Sequence, residues 1–143
     1  MAKVKKSIMI KAPVEKIFNF VGEPTHLPEF WPSLVEVKDV KRLPNGGTSN
    51  RWTYKMAGIR LEGTSEDIER VTNKRLVSKT EGGVKSTQIW TFQLEAGGTK
   101  VTFEVEYTVP VPVLGKLAEA VIVKMNEQEG DLVLANLKAR MEA

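Results

Sequence analysis

The chain contains no cysteine and a single histidine, His26. Composition therefore excludes disulfides, thiolate nucleophiles, iron–sulfur clusters and thiolate zinc sites. An imidazole metal cluster or a Ser–His–Asp triad has one imidazole to draw on, and no metal or other cofactor is expected. Long apolar runs are missing too. After the basic opening Met1-Ala2-Lys3-Val4-Lys5-Lys6, the apolar stretch is only Ile8-Met9-Ile10. That is too short for a signal-peptide core, and no window approaches the roughly 18 apolar residues of a membrane helix. The expectation is a cytoplasmic chain with no integral membrane segment. Charge of one sign is also scarce, 21 Lys+Arg against 18 Asp+Glu, a formal +3. The lysines are interleaved with acids and only Lys3–Lys11 forms a loose cluster. Nucleic-acid binders gather basic residues on one face, so nucleic acid is not an expected partner.

What is present is ordinary globular material: 143 residues, 41% hydrophobic and 7% aromatic. A chain of this size buries roughly two-thirds of its surface, enough for one core. No linker, repeat or charge block divides it, so 1–143 reads as a single domain. The punctuation is a series of glycines, in Asn45-Gly46-Gly47, Ala57-Gly58, Gly82-Gly83 and Gly97-Gly98. Each sits between segments of alternating polarity, which marks hairpin turns that need positive φ rather than phosphate-binding loops.

Between the turns the period is 2. Val35 and Val37 share one parity, as do Trp52, Tyr54 and Met56. Ile59, Leu61 and Gly63 oppose Arg60, Glu62 and Thr64. Val84, Trp90, Phe92 and Leu94 share a side, and Val101, Phe103, Val105, Tyr107 and Val109 oppose Thr102, Glu104, Glu106 and Thr108. With Lys3–Ile10 and a short run near Arg75–Ser78, this predicts about seven strands in an antiparallel meander. Two short helical segments interrupt it early. One starts at Ala12-Pro13, carries Val14, Ile17, Phe18 and Val21 at helical spacing, and stops near Gly22. The other opens at Pro24, with Pro28 and Pro32 ending helical character.

The last helix runs from about Pro112 to Glu142. Leu114, Leu117, Ala118, Val121, Met125, Gln128, Leu132, Ala135 and Ala139 form a stripe at 3.6-residue spacing, which places Gly130 outward. Ile122 and Val123 fall off the stripe and are candidates for a homodimer contact.

A helix of about 28 residues rises about 42 Å, but is only about 10–12 Å wide. Seven strands span roughly 30–34 Å. Such a helix can cross the sheet but cannot cover it flat, so the sheet must curl around it and the early helices must plug one side. Curling leaves space that side chains can fill as a dry core or leave as a pocket; periodicity alone does not choose.

The stretch Ile10-Lys11-Ala12-Pro13-Val14-Glu15-Lys16-Ile17-Phe18, followed by Glu23-Pro24 and Leu27-Pro28-Glu29-Phe30-Trp31-Pro32, resembles the opening of the SRPBCC (START/Bet v 1-like) superfamily. It is most similar to the polyketide cyclase/dehydrase and lipid-transport branch. The later order resembles it as well, through the Tyr107-Thr108-Val109-Pro110 exit to the C-terminal helix. The resemblance implies an α+β helix-grip fold, a seven-stranded curved antiparallel sheet wrapped around a long C-terminal helix, with two short helices between strands 1 and 2. It also implies a pocket for a small hydrophobic molecule, a lipid, polyketide or similar apolar metabolite. Its motif carries no shared catalytic residue. What it implies is position: a lining drawn from the helix, the concave sheet face and the Phe30-Trp31 segment near the mouth.

Candidate lining residues follow from parity and that position. From the sheet they are Trp52, Tyr54, Met56, Leu61, Gln88, Trp90, Phe103 and Tyr107; from the helix, Leu117, Val121, Met125 and Gln128; near the mouth, Phe30 and Trp31. Tyr54, Gln88, Tyr107 and Gln128 need polar partners if buried, from protein, water or ligand. Glu62 and Glu66 fall on the water-facing parity, and His26 lacks a visible catalytic partner. Two functions remain open. One is binding or carriage of a hydrophobic molecule; the other is a cyclase or dehydratase that positions a reactive chain through Tyr54, Tyr107 or Gln88. A third, an interaction module working through the outer sheet face, finds little support in its mixed Thr, Lys and Glu.

Overall fold

The computed structural model describes residues 2–56, 58–108 and 119–143. Seven strands form one antiparallel sheet: β1 (Ala2–Ile10), β2 (Leu34–Arg42), β3 (Thr48–Met56), β4 (Ile59–Val71), β5 (Arg75–Gly82), β6 (Lys85–Glu95) and β7 (Gly98–Thr108). Their order is β1-β7-β6-β5-β4-β3-β2. Strands β2 to β7 are a meander, and β1 adds to its far side by pairing with β7. The glycine turns are as expected: Gly46, Gly58, Gly82 and Gly97 all have φ between 81° and 101°, a region open to residues without a Cβ.

Between β1 and β2 lie α1 (Val14–Val21) and a 3-10 helix (Pro24–Glu29). Val14, Ile17, Phe18 and Val21 are buried on one face of α1. Pro13 is its extended N-cap, and the Gly22 N–H donates to the Phe18 carbonyl at 2.9 Å to end it. Pro28 sits inside the 3-10 helix rather than ending it, because a turn this short needs few backbone donors.

The C-terminal helix, α2 (Glu119–Glu142), packs along β1. Its buried residues are Ile122, Val133, Leu134, Leu137 and Met141. This corrects the expected stripe. Met125 and Leu132 are each 47% exposed, and Gln128, Ala135 and Ala139 are exposed with them. At about 100° of rotation per residue, the buried face lies about 150° from the expected one, on nearly the opposite side of the helix. Both faces carry apolar residues, so spacing alone chose the wrong one. Gly130 is consequently inside: a Cβ there would lie 3.0 Å from Val4 Cγ1 and 3.4 Å from Lys6 Cγ. Ile122, taken as a candidate contact between copies, is 2% exposed, and Val123 packs against the same cluster. The expected residues Leu114, Leu117, Ala118 and Val121 lie outside the described side chains.

Two strand expectations also change. In β2 the inward residues are Leu34, Val37 and Val40, three apart, and Val35 is exposed. Register shifts between Leu34 and Glu36 and between Lys38 and Lys41 each add a residue and reset the alternation. Leu94, at the end of β6, is 73% exposed, because the strand there runs past the core.

Candidate functional site

The interior divides in two. One cluster joins α1, the Phe30-Trp31 segment, the middle of β6 and β7 and the second half of α2. It is filled with aromatic rings in contact, Trp90 on Phe103 at 4.4 Å, Trp31 on Phe103 at 5.2 Å and Phe18 on Phe92 at 5.5 Å. The other cluster, around Val4, Trp52, Met56, Leu61, Tyr107 and Ile122, borders a cavity of about 100 Å³. A water molecule needs only about 10–15 Å³ by such a measure, so the space admits more than a water. It is smaller than the roughly 300–1,000 Å³ of a drug-sized pocket, which suits a slim guest.

The cavity exists because α2 leans to one side of the sheet. Without a side chain at Gly130 the helix comes close to β1. Lys6 and Asp131 pair across that contact at 3.4 Å, and Lys138 Nζ donates to the Met9 carbonyl. Strands β2 to β6 curl over on the far side, and beside Leu34, Val37, Trp52, Tyr54 and Met56 they present the small or polar Asn50, Ser65, Thr80 and Ser86.

Of the expected lining, Trp31, Trp52, Tyr54, Met56, Gln88 and Tyr107 border the cavity. Phe30, Trp90 and Phe103 are instead buried in the aromatic cluster, and Leu61 in the second cluster. Met125 and Gln128 are exposed on α2 and take no part in the lining, while Leu117 and Val121 lie outside the described side chains. Trp31, expected near the mouth, is buried at 8% exposure. Val37, Val84 and Val105 fell on apolar parities but were not named as lining, and Leu27, Leu34, Asn50, Ser65, Thr80, Ser86 and, on α2, Asn126 were not foreseen.

The most concentrated polar feature was also missed. Glu129 of α2 accepts three hydrogen bonds behind the cavity wall, two of them from the lining residues Trp31 and Tyr54. Trp31 Nε1 donates to Oε1 at 2.8 Å, Tyr54 O–H donates to the same oxygen, and Ser33 O–H donates to Oε2. All three donors are neutral and come from the β2 approach and β3. Burial, and then the Glu129 charge, push the Tyr54 phenol far above its usual value, so Tyr54 stays a donor. At Tyr107 burial also raises the phenol, against the opposing effect of Asn126. Asn126 Nδ2 donates to the Tyr107 oxygen at 3.0 Å.

The remaining titratable candidates are structural. His26 Nδ1 meets the Phe20 carbonyl at 3.1 Å and its ring stacks on Phe20 at 4.3 Å. Glu62 and Glu66 face outward. Asp67 accepts from the Thr48 N–H and the Ser78 hydroxyl and so pins the β2–β3 turn to the bulge in β4. Among the described residues no three His, Asp or Glu side chains converge as a metal site. No helix among them is long and apolar enough to cross a membrane.

A family model described as polyketide cyclase/dehydrase and lipid transport matches residues 1–142. No curated protein matches the sequence. Among solved structures, a protein from Thermus thermophilus is 24% identical, covering 97% of this chain and 96% of its own, with a TM-score of 0.75. A START superfamily protein from Mycobacterium smegmatis is 18% identical over 99% and 98%, at 0.73. The Zhui aromatase/cyclase from a Streptomyces species is 15% identical over 99% and 96%, at 0.76. At these identities the likeness is one of fold.

Proposed function

The chain belongs to the polyketide cyclase/dehydrase and lipid transport family, and from that premise we propose that it binds a small hydrophobic molecule between the curled sheet and α2. The observation that carries the reading is the contrast inside one core. Aromatic rings fill one end, while the other keeps a cavity edged by Leu27, Leu34, Val37, Met56, Val84 and Val105. Apolar burial supplies affinity and a few fixed polar groups supply orientation. Trp31 and Trp52 both touch the cavity, so tryptophan emission reports on occupancy. Titration with short-chain lipids and small polyketide-like aromatics gives a saturable change; a flat response across the panel overturns the reading.

One observation favours catalysis as a second reading. Tyr54, a cavity residue, is hydrogen-bonded to the Glu129 carboxylate, a donor–acceptor pair of the kind used for proton transfer. On this reading the same site cyclises or dehydrates a polyketide-like chain, and Tyr54→Phe lowers turnover while leaving binding intact.

A further inference from the structure

The Trp52 indole N–H has no assigned role. Trp52 is 8% exposed and borders the cavity. Its Nε1–H is a buried donor with no hydrogen-bond partner among the described residues. A buried donor left unmade carries its full desolvation penalty. Three other donors of the wall are matched. The Trp31 N–H and Tyr54 O–H reach Glu129, and the Thr80 hydroxyl donates to the Val84 carbonyl at 2.9 Å.

The indole is also seated. A Cβ at Gly63, its partner on β4, would lie 2.5 Å from Trp52 Cζ2 and 2.9 Å from Cη2. The glycine therefore makes room for the ring where the donor stays unmatched. Tyr107 lies in the same cluster; its oxygen accepts from Asn126, and its own proton has no acceptor among the described residues. Charge narrows the guest further. No cationic side chain is among the described lining residues, and the Glu129 carboxylate lies one side chain behind the wall, bonded to the lining residues Trp31 and Tyr54. An ionised guest would be desolvated there beside a like charge.

We infer that the guest is a neutral, slim apolar molecule whose carbonyl oxygen, of a ketone, ester or amide, accepts the Trp52 Nε1–H bond, and that carboxylates are rejected. The inference rests on the proposed binding function and adds the class of ligand.

The test uses the full chain with ¹⁵N-labelled indoles and three probes of equal length: heptane, 2-heptanone and heptanoate. The ketone is expected to bind and to move the Trp52 indole N–H resonance downfield. Heptane leaves that resonance in place, and heptanoate binds at least about tenfold more weakly than the ketone. Trp52→Phe identifies the resonance and lowers the ketone-to-heptane affinity ratio about three- to tenfold. Equal binding of ketone and heptane with no indole shift overturns the inference and leaves the binding function standing, and so does heptanoate binding as tightly as the ketone. If none of the three binds, both fall. Should Trp52→Phe fail to fold, the carbonyl stretch of the ketone bound to the native protein decides. A shift to lower frequency supports the bond, and an unshifted band overturns it.

Discussion

The same strands build a packed end and a hollow end, and the change takes place within a few residues. Along β6 the inward side chains run Ser86, Gln88, Trp90, Phe92; along β5 they run Thr80, Ser78, Leu76 beside them. The large end meets α1 and the second half of α2, where Ile17, Phe18, Val133 and Leu137 are fully buried or nearly so. The small end meets no such layer among the described residues, and its hydroxyls bond one another, as Thr80 and Ser86 do at 2.6 Å. A single sheet thus serves two ends: one holds the fold together and the other keeps space.

The largest test of that division compares two truncations. Leu137 is fully buried among tightly packed neighbours, so Leu137→Ala leaves a void that cannot close and costs about 3–5 kcal/mol. Met56 is also buried but borders existing space. Met56→Ala therefore loses mainly the transfer contribution, about 2 kcal/mol or less. Urea denaturation of both variants measures the gap; equal losses would mean that the two ends are packed alike.

The sheet was legible because each strand's alternation is local and does not depend on what covers it. Where one residue is added, as in β2, the alternation resets and Val35 turns outward. The rotation of α2 was not legible, since Met125 and Leu132 compete with Ile122, Val133 and Leu137 for the apolar face. Nor was Glu129. Its donors Trp31, Ser33 and Tyr54 lie 98, 96 and 75 positions away, and in the sequence it is one more charged residue on a helix. Six of the sixteen described lining residues were named from the sequence, five by parity and Trp31 by its place near the mouth, but the polar centre needed the fold.

A second, smaller effect probes the wall between the two ends. Tyr54 is held protonated in the folded chain, with its phenol raised first by burial and then by Glu129. In the unfolded chain it ionises near pH 10. Above that pH the unfolded state has lost a proton that the folded state keeps, so unfolding becomes more favourable as pH rises. The contribution is fully present below about pH 10 and falls by about 1.4 kcal/mol per pH unit above it. Subtracting the alkaline stability profile of Tyr54→Phe from that of the native chain isolates this slope. Parallel profiles would place Tyr54 in water rather than against the carboxylate.

The smallest expected effect is the most direct check on how α2 is turned. On an exposed helix face, replacing glycine by alanine stabilises by about 1 kcal/mol, because alanine loses less backbone freedom on folding. At Gly130 the new methyl would stand 3.0 Å from Val4 Cγ1 and 3.4 Å from Lys6 Cγ. The lysine methylene belongs to a flexible chain and can give way. Val4 is 3% exposed within the second cluster, so its methyl must press inward or the helix must move away from β1. That strain offsets the gain in propensity, and Gly130→Ala is expected to change stability by less than about 0.5 kcal/mol in either direction. A clear gain near 1 kcal/mol in thermal or urea unfolding would show position 130 facing solvent. The helix would then sit about half a turn away, and the space under β2 to β6 could not arise from a close approach to β1.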